Sequence, residues 1–340
     1  MEVTVANHLF LASTPFNVIT AAMVAFSLPE EDQAWLWLID QQPNNNFSDK
    51  LPNWRFSPFN STEKISQQVK GQRKRIARLK SFQTIQKELD KVCPDWIYTG
   101  NDRRIEFQYA MSRAQPRWNT QGAYLDDGTY SYVGRQTHWL KDGIIDNYLK
   151  KVVYGSWWKQ PLTVGASSWI NTCWLAFPDE ALPLLKQRTC QQLPLNLTRY
   201  EFQELAKLLL PDGDIELTQL DALILLSHES ASDKDEFAHL LKHIDAPSNK
   251  VIGYKCHPRS NSRPPTDKNF KLIEVPNTTP MEILLPLLPA NCVVIGGVST
   301  ALLTTKWLRN DIQVRALLRT STSSNWTRLL NSLDVELIQE

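Results

Sequence analysis

Short apolar runs alternate with longer amphipathic stretches along this chain, and the alternation occurs twice. In the first half, residues 7–13, 35–39, 96–99 and 122–125 are apolar runs of strand length. A strand covered on both faces reads as such a run, because neither set of alternating side chains meets water. Thr14-Pro15 opens a helix through Met23, with proline placed where its missing N–H costs little. Ile65, Val69, Ile76, Leu79, Phe82, Ile85 and Leu89 recur at three- and four-residue intervals and predict one long amphipathic helix. Residues 105–113 predict another. In the second half, residues 223–226, 251–255, 272–275, 293–295 and 314–317 are strand candidates, with helices over 235–243 and 281–288. The pattern predicts an α/β architecture of two doubly wound Rossmann-like domains facing a cleft, with ligand beyond the carboxyl ends of the strands. The 340 residues suit two domains of about 150 each. Residues 153–161 (VYGSWWKQP) interrupt the alternation and mark the expected linker, placing the domains at 1–155 and 156–340.

Composition narrows the functional classes. A net charge of +1 gives little support to a general nucleic-acid role. The longest apolar runs fall short of the roughly 20 residues that cross a bilayer. Residues 1–16 carry no cationic segment ahead of their apolar stretch, so they do not read as a signal peptide. Cys93, Cys173, Cys190, Cys256 and Cys292 are odd in number and scattered, with no CxxC. That spacing argues for reduced packing thiols in a cytoplasm, against a disulfide framework or a zinc site.

Three segments carry chemistry. In Tyr124-Leu125-Asp126-Asp127-Gly128 an apolar strand ends in two carboxylates and a glycine that permits a sharp exit. Neighbouring strand side chains point to opposite faces, so one aspartate can face the cleft while the other binds local backbone N–H groups. A cleft-facing carboxylate suits proton removal from an attacking hydroxyl; the plainer reading is an ordinary Asp-Gly turn. In Tyr254-Lys255-Cys256-His257-Pro258-Arg259, alternation puts Lys255 and His257 on one side of a strand end that Pro258 terminates. With Arg259 they form a candidate phosphate clamp. In the segment 293–300, a buried strand leads through Gly296-Gly297 to Ser299-Thr300 at a helix start. Backbone N–H groups, the helix dipole and two hydroxyls there suit an anion, while either hydroxyl could simply cap the helix.

In this order the three segments resemble the acidic-acidic-Gly, His-Pro and paired Ser/Thr motifs of bacterial sialyltransferases and polysialyltransferases. Leu11-Ala12-Ser13-Thr14-Pro15-Phe16 looks like the opening segment of glycosyltransferase family 52 and its polysialyltransferase relatives. The run from Gly100 and Asn101 to Gln108 looks like a second segment of the same half. The resemblance covers roughly residues 8–307 and implies a GT-B fold with metal-independent, inverting transfer of sialic acid from CMP-sialic acid. By the match, Asp127 takes the general-base position with Asp126 beside it. His257 and Lys255 take the donor-phosphate positions, and Ser299 and Thr300 the hydroxyl pair. Glu282 takes an acidic position that contacts the nucleotide. Pro258, Arg259, Gly297, Thr14 and Asn101 complete the expected substrate contacts. Ser-Thr stands where many relatives have Ser-Ser. The resemblance implies no cofactor, and as partners a CMP-sialic acid donor and a glycan acceptor of the lipooligosaccharide or capsule kind, lipid-linked in many cases.

Other features point elsewhere. Asp212-Gly213-Asp214 and Asp233-Lys234-Asp235 have DxD spacing but lie in polar, loop-like surroundings. His239 and His243 are four apart, with no third ligand near. The run from Lys70 to Lys80 (KGQRKRIARLK) reads as a solvated basic face over a buried stripe; the sharper reading is attraction to anionic lipid at the inner membrane, or to an acidic glycan. Trp157-Trp158 suit packing more than stacking on a sugar. Against sialyl transfer stand the same scaffold with another donor (Kdo, another nonulosonic acid or a UDP-hexose) and a non-catalytic nucleotide-sugar binding protein.

Overall fold

The structure is a computed structural model that describes residues 5–43, 46–69, 73–133, 146–210, 217–227, 236–244, 250–257, 270–277, 279–319, 322 and 324–339. The chain divides into two compact units, Met1–Pro194 and Leu195–Glu340.

The first unit carries a parallel sheet of seven strands: β1 (Asn7–Ala12), β2 (Gln33–Leu38), β3 (Ser61–Lys64), β4 (Trp96–Thr99), β5 (Gln121–Leu125), β6 (Thr172–Leu175) and β7 (Thr189–Gln192). Their order is β3-β2-β1-β4-β5-β6-β7, so the winding reverses between β1 and β4. Helices α1 (Pro15–Ala25), α2 (Asn46–Lys50), α3 (Arg73–Val92), α4 (Ile105–Trp118) and α5 (Asp146–Tyr154) lie between strands in the chain. The central strand β1 is shut from water along Leu9, Phe10, Leu11 and Ala12. That is why its sequence is apolar without alternation. Trp37, Ile85, Ile97, Phe107 and Tyr124 complete the core around it.

The second unit repeats the winding with β8 (Ala222–Leu225), β9 (Val251–Lys255), β10 (Lys271–Glu274), β11 (Val293–Gly297), β12 (Gln313–Leu318) and β13 (Glu336–Gln339), in the order β10-β9-β8-β11-β12-β13. All pairs are parallel. Its helices are α6 (Tyr200–Leu209), α7 (Glu236–Leu241), α8 (Met281–Leu284), α9 (Thr300–Leu308) and α10 (Ser324–Ser332). Ile224, Ile252, Ile295 and Leu317 form its core. In both units the strand order reverses beside the first strand, the position at which doubly wound sheets commonly take a ligand.

Two sequence expectations change. Residues 153–161 are not a linker between units: Trp158 is fully buried in the first core and Trp157 packs beside it. The Gln108 side chain holds Lys159 through both its backbone groups at 2.7 Å. The first unit therefore runs on through β6 and β7 to Pro194 rather than ending at residue 155. The periodic stretch from Ile65 is also not one helix. Ile65 and Val69 precede α3, and within α3 Phe82, Ile85 and Leu89 are buried while Ile76 is 61% and Leu79 49% exposed. Periodicity identifies a helix, but not which of its turns lie against the sheet.

Candidate active site

In the first unit the carboxyl end of β5 delivers the two aspartates to different surroundings. Asp126 is 1% exposed. It accepts hydrogen bonds from Gly128 N at 2.9 Å, Ser131 Oγ at 2.7 Å, Ala176 N at 2.9 Å and the Tyr132 hydroxyl. Burial pushes its carboxyl up, against the pull of these donors. With four donors on two oxygens, Asp126 is a structural anchor for the turn. That turn depends on Gly128, whose φ of 80° is left-handed.

Asp127 is only half-buried. Its backbone N–H donates to Tyr124 Oη at 3.2 Å, and its Oδ1 accepts from Asn17 Nδ2 at 3.1 Å. Burial raises its carboxyl to about 7. The Asn17 bond opposes the rise, the Asp126 charge adds to it, and the Arg104 guanidinium lowers it. A carboxyl poised near neutrality at a strand end suits general-base work.

Asn17 is held in turn. Thr14 caps α1 and its Oγ1 accepts from Asn17 N at 3.2 Å. Asn17 Oδ1 accepts from Ser13 Oγ at 3.1 Å, leaving Nδ2 aimed at Asp127. The side chain lies so close to Gly100, just past β4, that a Cβ there would come within 2.1 Å of Nδ2. Thr14 is thus a cap in this structure. Asn101 has a comparable local task, its Oδ1 accepting from Arg103 N at 3.0 Å in the turn before α4. Arg104 starts that helix and its guanidinium donates to Asp40.

Sequence reasoning missed Asn17, and it singled out Gly100 and Arg104 only as members of the 100–108 run, without these roles. Asn17 sits three residues after the Thr14 cap, a visible signal, but its partner is 110 residues away.

In the second unit the expected anion-binding residues follow β9 and β11, which flank β8. Their ends are therefore about 10 Å apart. Lys255 closes β9, is buried, and donates from Nζ to the Asn277 carbonyl at 2.8 Å. Burial lowers its amine to about 8, opposed by the Glu282 charge. Glu282, in α8, is raised by burial to about 6. His257 lies two residues beyond β9 and is half-buried. Pro258 and Arg259 lie outside the described residues, as do both DxD segments. Gly297 ends β11, Ser299 is the N-cap residue of α9 and Thr300 its first, exposed residue. Ser299 makes no side-chain cap hydrogen bond, so its hydroxyl is not spent on the helix. Among the described residues no group of three or more His, Cys, Asp or Glu is placed to hold a metal ion.

No family model matches the sequence, and no curated protein matches it. Solved structures do. An alpha/beta-galactoside alpha-2,3-sialyltransferase from the luminous marine bacterium Photobacterium phosphoreum is similar over 98% of this chain and 99% of its own, with a TM-score of 0.60 at 13% identity. UDP-GlcNAc 2-epimerase from Neisseria meningitidis, bound to UDP-GlcNAc, is similar over 98% and 87%, with a TM-score of 0.52 at 12% identity. The glycotransferase of kitacinnamycin is similar over 99% and 87%, with a TM-score of 0.52 at 9% identity. At such identities the likeness speaks to the fold: this chain has the two-sheet GT-B fold shared by nucleotide-sugar glycosyltransferases and epimerases.

Proposed function

We propose that the protein is an inverting glycosyltransferase that moves sialic acid from CMP-sialic acid to a hydroxyl of a cell-surface glycan. The observation that carries this reading is Asp127, a carboxyl tuned to about 7 and held by Asn17 at the end of β5. The order of the motifs and the likeness in fold to a sialyltransferase support it.

In the proposed reaction Asp127 takes the proton of the acceptor hydroxyl as its oxygen bonds to the anomeric carbon. The bond from that carbon to the phosphate oxygen breaks, and CMP leaves with the electron pair. Donor groups stabilise the charge that develops on the phosphate. His257, Lys255, the Ser299 and Thr300 hydroxyls and the start of α9 are assigned that task. Together they serve a monophosphate without a divalent ion. Glu282, whose charge favours the protonated Lys255 amine, is assigned to the nucleotide.

The test is thermal shift with CMP, UDP and GDP, each with and without EDTA. Binding to the native state raises the melting temperature by mass action, so weak ligands register at high concentration. Stabilisation by CMP alone, unaffected by EDTA and lost in His257→Ala, is expected. A transfer assay with CMP-sialic acid and CMP-Kdo then separates those donors. Stabilisation by UDP or GDP instead overturns sialyl transfer, and no response to any nucleotide overturns the enzyme.

A further inference from the structure

Helix α3 is built the wrong way round for a helix that merely covers a sheet. Its second half does cover it, through Phe82, Ile85, Leu89 and Val92. Ile76 and Leu79, two turns earlier, stand on the opposite side, because residues at 76, 79, 80, 83 and 87 share one face of a 3.6-residue helix. All five are exposed. That outward face therefore presents two large aliphatic side chains beside Lys80 and Lys87. The charge on that face has one sign: Lys80 and Lys87 are its charged residues, and the sequence has no acidic residue between Glu63 and Glu88.

Exposed aliphatics alone could meet many partners. Exposed aliphatics within a field of cations have a narrower complement, an apolar layer topped by negative charge.

We propose that the outward face of α3 docks on an anionic phospholipid surface. Ile76 and Leu79 enter the boundary between headgroups and acyl chains while Lys80 and Lys87 pair with lipid phosphates. No described helix is long and apolar enough to cross a bilayer, so the contact is one of lying on the membrane. A second copy of this chain fits less well, since two such faces repel each other. Nucleic acid or a soluble acidic glycan would use the cations but leave Ile76 and Leu79 in water. The proposal does not depend on the transfer reaction.

The test is co-sedimentation of the full chain with vesicles of phosphatidylcholine, or of equimolar phosphatidylcholine and phosphatidylglycerol, at low and high salt. Binding to the phosphatidylglycerol vesicles is expected, with loss at high salt. Ile76→Ser/Leu79→Ser leaves the charge intact and should weaken it at least about tenfold. Lys80→Glu/Lys87→Glu should weaken it comparably. All four side chains are exposed, so folding is checked simply by an unchanged melting temperature. No binding, or equal binding to both vesicles, overturns the proposal. So does vesicle binding indifferent to the serine variant together with equal binding to heparin, which would make the face a general polyanion site. A drop in oligomeric size in the serine variant would make it a contact between copies, and overturns the proposal as well.

Discussion

Asn17, in the first turn of α1, donates from Nδ2 to Oδ1 of Asp127 beyond β5 at 3.1 Å, joining two residues 110 positions apart. The bond favours the ionised carboxyl, so Asn17→Ala should raise the Asp127 pKa further. A hydrogen bond to a charged group contributes about 1.5–3 kcal/mol, which corresponds to roughly one to two pH units. The acid limb of the kcat/KM profile should move up by that amount. The Asp127 carbon resonance should titrate at correspondingly higher pH, a readout that needs no turnover.

Gly100→Ala should disturb the same pair from the other side. Its Cβ would come within 2.1 Å of Asn17 Nδ2, and Asn17 is 1% exposed with no room to retreat. A displacement of about 1 Å in such a site costs on the order of 10²-fold in kcat/KM. Steady-state kinetics at pH 8 check this, with an unchanged KM for the donor expected.

Asp127, raised to about 7, and Lys255, lowered to about 8, should enclose a narrow bell in kcat/KM. Activity falls below the first value as the base gains a proton. It falls above the second as the amine loses the charge that the proposed mechanism assigns to the donor phosphate. In Lys255→Arg the basic limb should disappear from the accessible range, because arginine stays charged. Persistence of that limb in the variant would assign it to another group.

Stability should carry the mark of Asp127 too. Its folded pKa lies above that of the unfolded chain, so the native state binds more protons between about pH 4 and pH 7. Stability from this group therefore falls as pH rises through that window, and the full cost is present above it. Asp127→Asn keeps an acceptor for Asn17 without the charge. It should stabilise the protein by on the order of 2 kcal/mol at pH 8, and by much less at pH 4.5, in urea unfolding.

A fragment ending at residue 155 should fail to fold, while one ending at residue 194 should unfold cooperatively. The shorter piece lacks Trp158, which is fully buried in the first core, and the strands β6 and β7 that extend the sheet beside β5. It also leaves Asp126 without the Ala176 N–H. Circular dichroism melts of the two fragments decide the matter.

The sequence by itself determined the α/β class, the second-unit strands β8 to β12 (though not β13) to within two residues at either end, and the placement of Asp126-Asp127 and of Lys255 at strand ends. Parallel strands are covered on both faces, so they appear as uninterrupted apolar runs, and a proline, a glycine or a charge marks where each stops. The edge strand β7, Thr-Cys-Gln-Gln, gives no such signal, since half-solvated edges need no apolar run, and with it went the true end of the first unit. Tertiary structure alone decided which aspartate is walled in by four donors and which is held by one asparagine. It alone made Gly100 necessary and turned Ile76 and Leu79 outward. Each of these depends on a partner far away in the chain, and a local pattern reports spacing and polarity, not which surface a distant segment comes to cover.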